Sequence, residues 1–230
     1  MIKENIEILR EKIIRASLDC GRSVDEILLV AVSKTFDSDL ILHAIDEGIN
    51  DFGENYVQEF LSKENILFEK KINWHFIGRL QRNKVKYLIG KVNSIETVDS
   101  ISLAEEIQKR AEQKNITENI FVEVNTSFEE SKGGVSVDRA TELVAQIGIF
   151  KNLKISGLMT IGPFVDDIKQ SKKAFQLLYN IRERINIENI LPYKVTELSM
   201  GMSHDFETAI LEGSTIIRIG SAIFGNRIKK

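Results

Sequence analysis

The sequence predicts an α/β protein built as a single (β/α)8 barrel of the TIM type, with one additional helix at its N-terminus. Short apolar runs typical of buried strands alternate with amphipathic helical segments along the chain. This alternation favours parallel strand pairing with right-handed crossovers. Eight strand–helix units within about 200 residues favour closure into a barrel. The alternative is an open, doubly wound sheet, and it is disfavoured because no helix begins with a dinucleotide-binding glycine fingerprint.

The predicted elements follow one another with a regular period. Ile6, Leu9 and Ile13 recur at helical spacing and predict an amphipathic helix over the first twenty residues. Strands are expected at 27–33, 50–53, 73–78, 94–98, 120–125, 153–160, 195–199 and 215–219. Helices are expected between them, including a basic one around residues 81–86 and one that begins at Ser136 and ends at Gly148.

Composition predicts one domain over residues 1–230. Hydrophobic residues make up 43% of the chain and prolines number 2, which suits one large core without a linker. A net charge of -3 without a block of like charge argues against nucleic acid as a partner. A lone cysteine, Cys20, fits a reducing compartment. Because neither a signal peptide nor a membrane-spanning run is present, we expect a cytoplasmic protein without a membrane partner. As a separate expectation, the protein is a monomer or a weak dimer.

The first predicted strand ends in a single lysine. Leu28 to Val32 form an apolar run, and Ser33 and Lys34 follow it directly. Burial in a low dielectric disfavours the ammonium form, so a lysine in this position can present a neutral amine to a carbonyl. Formation of a Schiff base is the chemistry of such an amine. The alternative is a lysine that caps the strand and reaches water.

The last two predicted strands end in glycine and serine. Gly201 and Ser203 precede a helix start, and Gly220 and Ser221 follow the eighth strand. Backbone N–H groups at such positions favour an anion, and the loops after strands seven and eight are a frequent phosphate site in barrels. Glycines in turns also serve purely steric needs. An amine after strand one together with a phosphate site suits a phosphorylated aldehyde as the ligand.

Metal and hydrolase chemistry are not indicated. His43 and Glu47 can share one helix face, but no second histidine or cysteine completes a zinc set. No Gly-x-Ser-x-Gly elbow is present. We therefore assign neither a metal ligand nor a catalytic residue.

Several segments of the chain closely resemble the pyridoxal phosphate homeostasis proteins. They lie at 31–35, 52–59, 74–84, 157–159, 198–203, 218–221 and 224–225, and the match runs in order from about residue 27 to 227. This family is similar to the barrel domain of alanine racemase and of eukaryotic-type ornithine decarboxylase. The resemblance therefore implies a barrel of fold type III that binds pyridoxal 5'-phosphate (PLP).

The resemblance also implies roles for single residues. By this likeness, Lys34 forms the Schiff base with PLP, while Ser203, Gly220 and Ser221 contact the phosphate. Arg218 would face the pyridine nitrogen. Three further residues would lie around the cofactor: Asn55, His75 and Met202.

The chemistry of Arg218 bears on function. A guanidinium is always protonated, so beside the ring nitrogen it donates a hydrogen bond and keeps that nitrogen unprotonated. The ring is then a weaker electron sink, which disfavours carbanion chemistry. The alternative for Arg218 is an ion pair with a carboxylate such as Glu123.

Three functions are compatible with a Schiff-base lysine in this barrel. The resemblance implies a non-catalytic protein of vitamin B6 homeostasis, which buffers PLP or delivers it to PLP-dependent apoenzymes. The second is an amino-acid racemase, which needs a further acid–base group on the opposite face of the cofactor. In alanine racemases a tyrosine from an additional domain supplies that group, and here Tyr56 is the tyrosine nearest to the predicted strand ends. The third is a class I aldolase, which needs no cofactor.

Overall fold

A closed barrel of eight parallel strands forms the centre of the molecule. The computed structural model describes residues 1–163 and 168–225. The strands are β1 (Leu28–Val32), β2 (Asp51–Glu54), β3 (Asn73–Phe76), β4 (Ser94–Val98), β5 (Glu118–Asn125), β6 (Val135–Ser136), β7 (Leu153–Met159), β8 (Glu197–Ser199) and β9 (Ile216–Ile219). The predicted domain boundary at residue 230 lies outside the described residues.

Helices surround the barrel and alternate with its strands. The α-helices are α1 (Ile2–Asp19), α2 (Ser38–Asp46), α3 (Val57–Ile66), α4 (Ile101–Gln113), α5 (Ala140–Ile147), α6 (Ile168–Ile187), α7 (Phe206–Leu211) and α8 (Ser221–Phe224). Three 3-10 helices cover Val24–Glu26, Arg82–Tyr87 and Val137–Arg139. Among the helices of the described residues, none combines the length and the hydropathy needed to cross a bilayer.

Strand pairing closes the sheet on itself. The order is β4-β3-β2-β1-β9-β8-β7-β5, and β4 also pairs with β5. All of these pairings are parallel, and β1 is joined to β9 from Leu28 with Ile216 to Ala31 with Ile219. The short strand β6 lies outside the ring and pairs with the end of β5. The prediction of a closed barrel, rather than an open sheet, is confirmed.

The core lies mainly between the barrel and its helices. Large buried side chains such as Phe52, Phe60 and Phe76 fill this layer. The predicted N-terminal helix is present as α1, which buries Ile6 and Ile13 and packs against α7 and α8. It therefore covers the outside of the barrel near β9.

Two helical segments differ from the sequence prediction. The basic segment forms a 3-10 helix instead of an α-helix. Gly148 follows α5 with a right-handed φ of -59° instead of the left-handed turn typical of a glycine that ends a helix. A Cβ atom at Gly148 would overlap the Leu191 side chain, so close packing accounts for this glycine.

Candidate cofactor site

The strand order brings the predicted site residues together from distant parts of the sequence. In the barrel, β2, β1, β9 and β8 are consecutive neighbours. Lys34 follows β1, Asn55 follows β2, and Ser203 lies in the loop after β8. Gly220 and Ser221 follow β9. Because parallel strands end on the same side of the barrel, these residues share one mouth.

Lys34 lies in a tight turn just beyond β1 and is half-buried. The next residue, Thr35, has a φ of 69°, in the left-handed region. This conformation is unfavourable for a β-branched residue, so surrounding contacts must hold it. The Thr35 N–H donates to Glu59 Oε1 at 2.5 Å, and the Ser33 N–H donates to Gly53 O at 3.1 Å.

A buried ionic cluster lies against this turn, and we call Ser33, Glu54, Glu59 and Lys63 the lysine-turn clamp. Lys63 Nζ donates to Ser33 O at 2.7 Å, Glu54 Oε1 at 2.7 Å and Glu59 Oε1 at 2.6 Å. Ser33 Oγ donates to Glu54 Oε1 at 2.6 Å. Burial raises the pKa of Glu54, while the positive charge of Lys63 opposes that shift. The clamp joins the lysine-bearing turn to α3.

Sequence analysis missed the lysine-turn clamp, although one signal pointed to it. Lys63 follows Val57 and Phe60 at spacings of three residues, so it lies on the buried face of α3. A lysine on an apolar helix face requires an anionic partner. The position therefore predicts a buried ion pair, but not which carboxylates supply it.

The loops after β8 and β9 meet at the same mouth. The backbone N–H of Ala222 donates to Ser203 Oγ at 3.3 Å. Met202 N donates to Asp205 Oδ1 at 2.7 Å, which fixes the start of the first loop. A Cβ atom at Gly220 would meet Val32 only at ordinary contact distances of 3.4 Å and beyond. Protein packing therefore does not demand a glycine at this strand end, which leaves room for a ligand.

The side chain of Asn55 carries a buried acceptor atom, Oδ1. Within the described part of the chain, no group donates a hydrogen bond to its Oδ1. The Asn55 backbone packs closely against Gly78, where a Cβ atom would overlap it. An unsatisfied buried acceptor costs about 1–3 kcal/mol. A bound ligand with a donor group would satisfy this atom.

Arg218 lies inside the barrel, in β9. Its side chain is buried, with Nη1 donating to Ser199 Oγ at 2.7 Å and Nη2 donating to Thr160 O at 2.8 Å. Burial lowers the pKa of Arg218 from its ordinary value, and the carboxylates of Glu96 and Glu123 oppose this shift. Both hydrogen bonds fix the plane of the guanidinium. Glu123, the alternative partner of this arginine, favours the protonated guanidinium through its negative charge.

The structure places His75 apart from the other site residues. His75 pairs with Ser94, the first residue of β4, so it is level with the amino end of that strand. Its Nδ1 lies 2.9 Å from Glu96 Oε1, and its Nε2 lies 3.2 Å from Asp51 Oδ1. His75 also lines a cavity of about 580 Å³ together with Asn93 and other residues at the amino ends of the strands. Its side chain therefore faces away from the mouth.

A groove of about 930 Å³ opens beside Asn55 at the ends of β2, β3 and β4. Its lining includes Tyr56 and the cationic side chains of Arg79, Arg82 and Lys84. A concave surface of this charge attracts anions to the mouth. The basic run noted in the sequence thus lies next to the candidate site.

The fold and its lysine-bearing strand end define a barrel of the alanine racemase N-terminal domain class, whose family model matches residues 2–227. An alanine racemase from Clostridium difficile 630 shares the fold, with a TM-score of 0.74 at 12% identity over 99% of this chain and 58% of that one.

Within this class, the chain belongs to the pyridoxal phosphate homeostasis protein family, as its motifs predicted. The protein of that name from Aquifex aeolicus is 44% identical over 226 residues, 97% of each chain. The structure of PipY from Synechococcus elongatus with PLP bound matches with a TM-score of 0.83 at 28% identity, over 98% of this chain and 100% of that one.

Proposed function

We propose that this chain binds PLP at the barrel mouth, holds it as a Schiff base on Lys34, and takes part in intracellular PLP homeostasis. The observation that carries the proposal is the convergence of three groups suited to this ligand. Lys34 offers an amine, the joined loops of Ser203 and Gly220 offer a phosphate site, and Arg218 offers a fixed cation. The family name and the PLP-bound PipY relative support the same cofactor.

Each residue has a distinct task in this proposal. Ser203, Gly220 and Ser221 bind the phosphate through hydroxyl and backbone donors. Arg218 would donate a hydrogen bond to the pyridine nitrogen, because a guanidinium can only donate there. PLP, when bound, supplies an aldehyde for covalent attachment and an aromatic ring that can accept electrons. Asn55 and Met202 would lie beside the ring.

We further propose that the chain acts as a carrier of PLP and not as a racemase. Arg218 gives the pyridine nitrogen no proton, which weakens the ring as an electron sink. Racemisation also needs a second acid–base group on the far side of the ring. Tyr56 precedes α3 and is 59% exposed, so protein packing does not fix its ring as such a group. The basic groove beside Asn55 suits the approach of a phosphorylated ligand or of an apoenzyme that receives it.

Proton exchange on free amino acids tests the carrier against the racemase. The PLP-loaded protein is incubated with L-alanine in deuterated water, and α-proton exchange and the enantiomer ratio are followed. We expect only slow exchange and no appreciable D-alanine, because one acid–base group typically contributes about 10²–10⁴-fold. The matched variant Tyr56→Phe should behave like the unchanged protein. Rapid formation of D-alanine that Tyr56→Phe abolishes would establish the racemase instead.

A further inference from the structure

A continuous line of polar side chains crosses the barrel from Arg218 to Asp51. Arg218 Nη1 donates to Ser199 Oγ at 2.7 Å, and Ser199 Oγ donates to Glu96 Oε2 at 2.5 Å. His75 Nδ1 lies 2.9 Å from Glu96 Oε1, and His75 Nε2 lies 3.2 Å from Asp51 Oδ1. We call these five residues the barrel network. They come from five strands, β9, β8, β4, β3 and β2.

The barrel network alternates in charge, and four of its five members are buried. Glu96 and Ser199 are 0% exposed, His75 is 2% exposed and Arg218 is 4% exposed. Buried charges persist only when they are paired and hydrogen-bonded. The two hydrogen bonds of Arg218 reach the neutral oxygens of Ser199 and Thr160. Glu96 is therefore the anion that balances this cation along the line of hydrogen bonds.

The ionisation of the inner members supports an alternating pattern. Burial opposes a charge on His75, but its bonds to Asp51 and Glu96 raise its pKa to about 9. Burial likewise disfavours the Glu96 carboxylate, yet the bond and charge of His75 and the charge of Arg218 lower its pKa. Ser94 Oγ also donates a hydrogen bond to Glu96 Oε1 at 3.2 Å. The contacts of Glu96 with His75 and the charge of Arg218 thus favour its carboxylate form.

We propose that Glu96 is a positioning residue, which acts through Ser199 to fix the Arg218 guanidinium and to offset its positive charge where the cofactor ring lies. The part that concerns the ring rests on the proposed function, whereas the part that concerns Arg218 does not. Other carboxylates face Arg218 from β5 and from the loop after β8, namely Glu123 and Asp205. Neither is part of the line that passes through Ser199.

The first test uses the protein without added PLP. The guanidinium N–H resonance of Arg218, identified by its loss in Arg218→Lys, should be resolved and slow to exchange because two hydrogen bonds hold the group. Ser199→Ala and Glu96→Gln should broaden or shift it. The control is Glu118→Gln, which changes a buried carboxylate of β5 that accepts from Gly90 N. An Arg218 resonance that is unchanged in both network variants would overturn the proposal.

The second test uses the PLP-loaded protein. Removal of an anion disfavours protonation of nearby groups, so Glu96→Gln should lower the pH midpoint of the cofactor's visible absorption by about one unit. Glu118→Gln should leave the midpoint in place. If Glu96→Gln alters the Arg218 resonance but leaves the pH midpoint of the absorption unchanged, the proposed effect of Glu96 on the cofactor ring is overturned. A protein that takes up no PLP would refute the proposed function, while the Arg218 resonance would still decide whether Glu96 positions the guanidinium.

Discussion

At the scale of single residues, the position of Lys34 depends on contacts beneath its turn. The lysine-turn clamp buries Lys63 at 5% exposure and Glu54 at 0% exposure. Removal of one member of a buried ion pair leaves an uncompensated charge, which is more costly than loss of the attraction alone. Glu59, a member of the clamp, also accepts a hydrogen bond from the backbone N–H of Thr35. We therefore expect the clamp to govern both stability and the placement of the lysine.

Lys63→Met should destabilise the protein by about 3–5 kcal/mol, because Glu54 and Glu59 lose their buried cation. The matched control is Lys91→Met, which removes an exposed pair with Glu64 (2.8 Å). That change should cost about 0–1 kcal/mol. Denaturant unfolding of both variants measures the difference. Equal losses of unfolding free energy in the two variants would mean that the clamp stabilises the protein no more than an exposed ion pair does.

His75 should make stability fall at alkaline pH. Its pKa is raised from 6.5 to about 9, so the folded protein holds the proton more tightly than the unfolded chain. This contribution is complete below about pH 6.5 and is lost as the pH rises through about 9, a change on the order of 3 kcal/mol. Unfolding free energies of the unchanged protein and of His75→Gln are compared across this range. The same pH slope in both would exclude His75 as its source.

Sequence could predict some of these residues and not others. Lys34 and Gly220 stand directly at strand ends, where position alone indicates a site. Glu96 and Ser199 are 103 residues apart in the sequence and meet only because the barrel closes. The identity of a buried partner depends on register between distant strands, which local pattern does not contain. For the same reason, the orientation of His75 could not be read from its place near the end of a predicted strand.

At the scale of elements, strand length and offset decide which residues reach the mouth. The third strand was expected at 73–78 but ends at Phe76. It pairs with β4 only from His75 with Ser94 to Phe76 with Ile95. The end of β3 is therefore level with the start of β4, and Gly78 instead approaches the Asn55 backbone. Two glycines at strand ends thus have different tasks, since Gly78 serves packing and Gly220 leaves room for a ligand.

Gly78→Ala and Gly220→Ala should separate these tasks. A Cβ atom at Gly78 would overlap the Asn55 backbone, which should cost about 1–3 kcal/mol or more. At Gly220 the nearest protein atom is 3.4 Å away, so stability should stay within about 0.5 kcal/mol. PLP retention should nevertheless fall about tenfold, because a methyl group would narrow the proposed phosphate site. Thermal unfolding and equilibrium dialysis measure the two effects. Full retention of PLP by Gly220→Ala would place the phosphate elsewhere.

At the scale of the whole molecule, closure of the barrel brings the candidate site residues together. The sequence period predicted eight strands with intervening helices, because a barrel strand buried on both faces is a distinct apolar run. Closure itself depends on the pairing of β1 with β9, which brings Lys34 beside Gly220 and Ser221. An open sheet with β1 at one edge would separate the Lys34 amine from the proposed phosphate site. The central claim is therefore that one lysine, at the end of β1, holds the cofactor.

Borohydride reduction of the PLP-loaded protein tests this claim most directly. Reduction converts the Schiff base to a stable bond, and the mass of the protein and of its peptides locates the added group. We expect one pyridoxyl group, on the peptide that contains Lys34, and none on Lys34→Ala that has been shown to be folded. A pyridoxyl group on any other lysine, or no modification at all, would contradict the account.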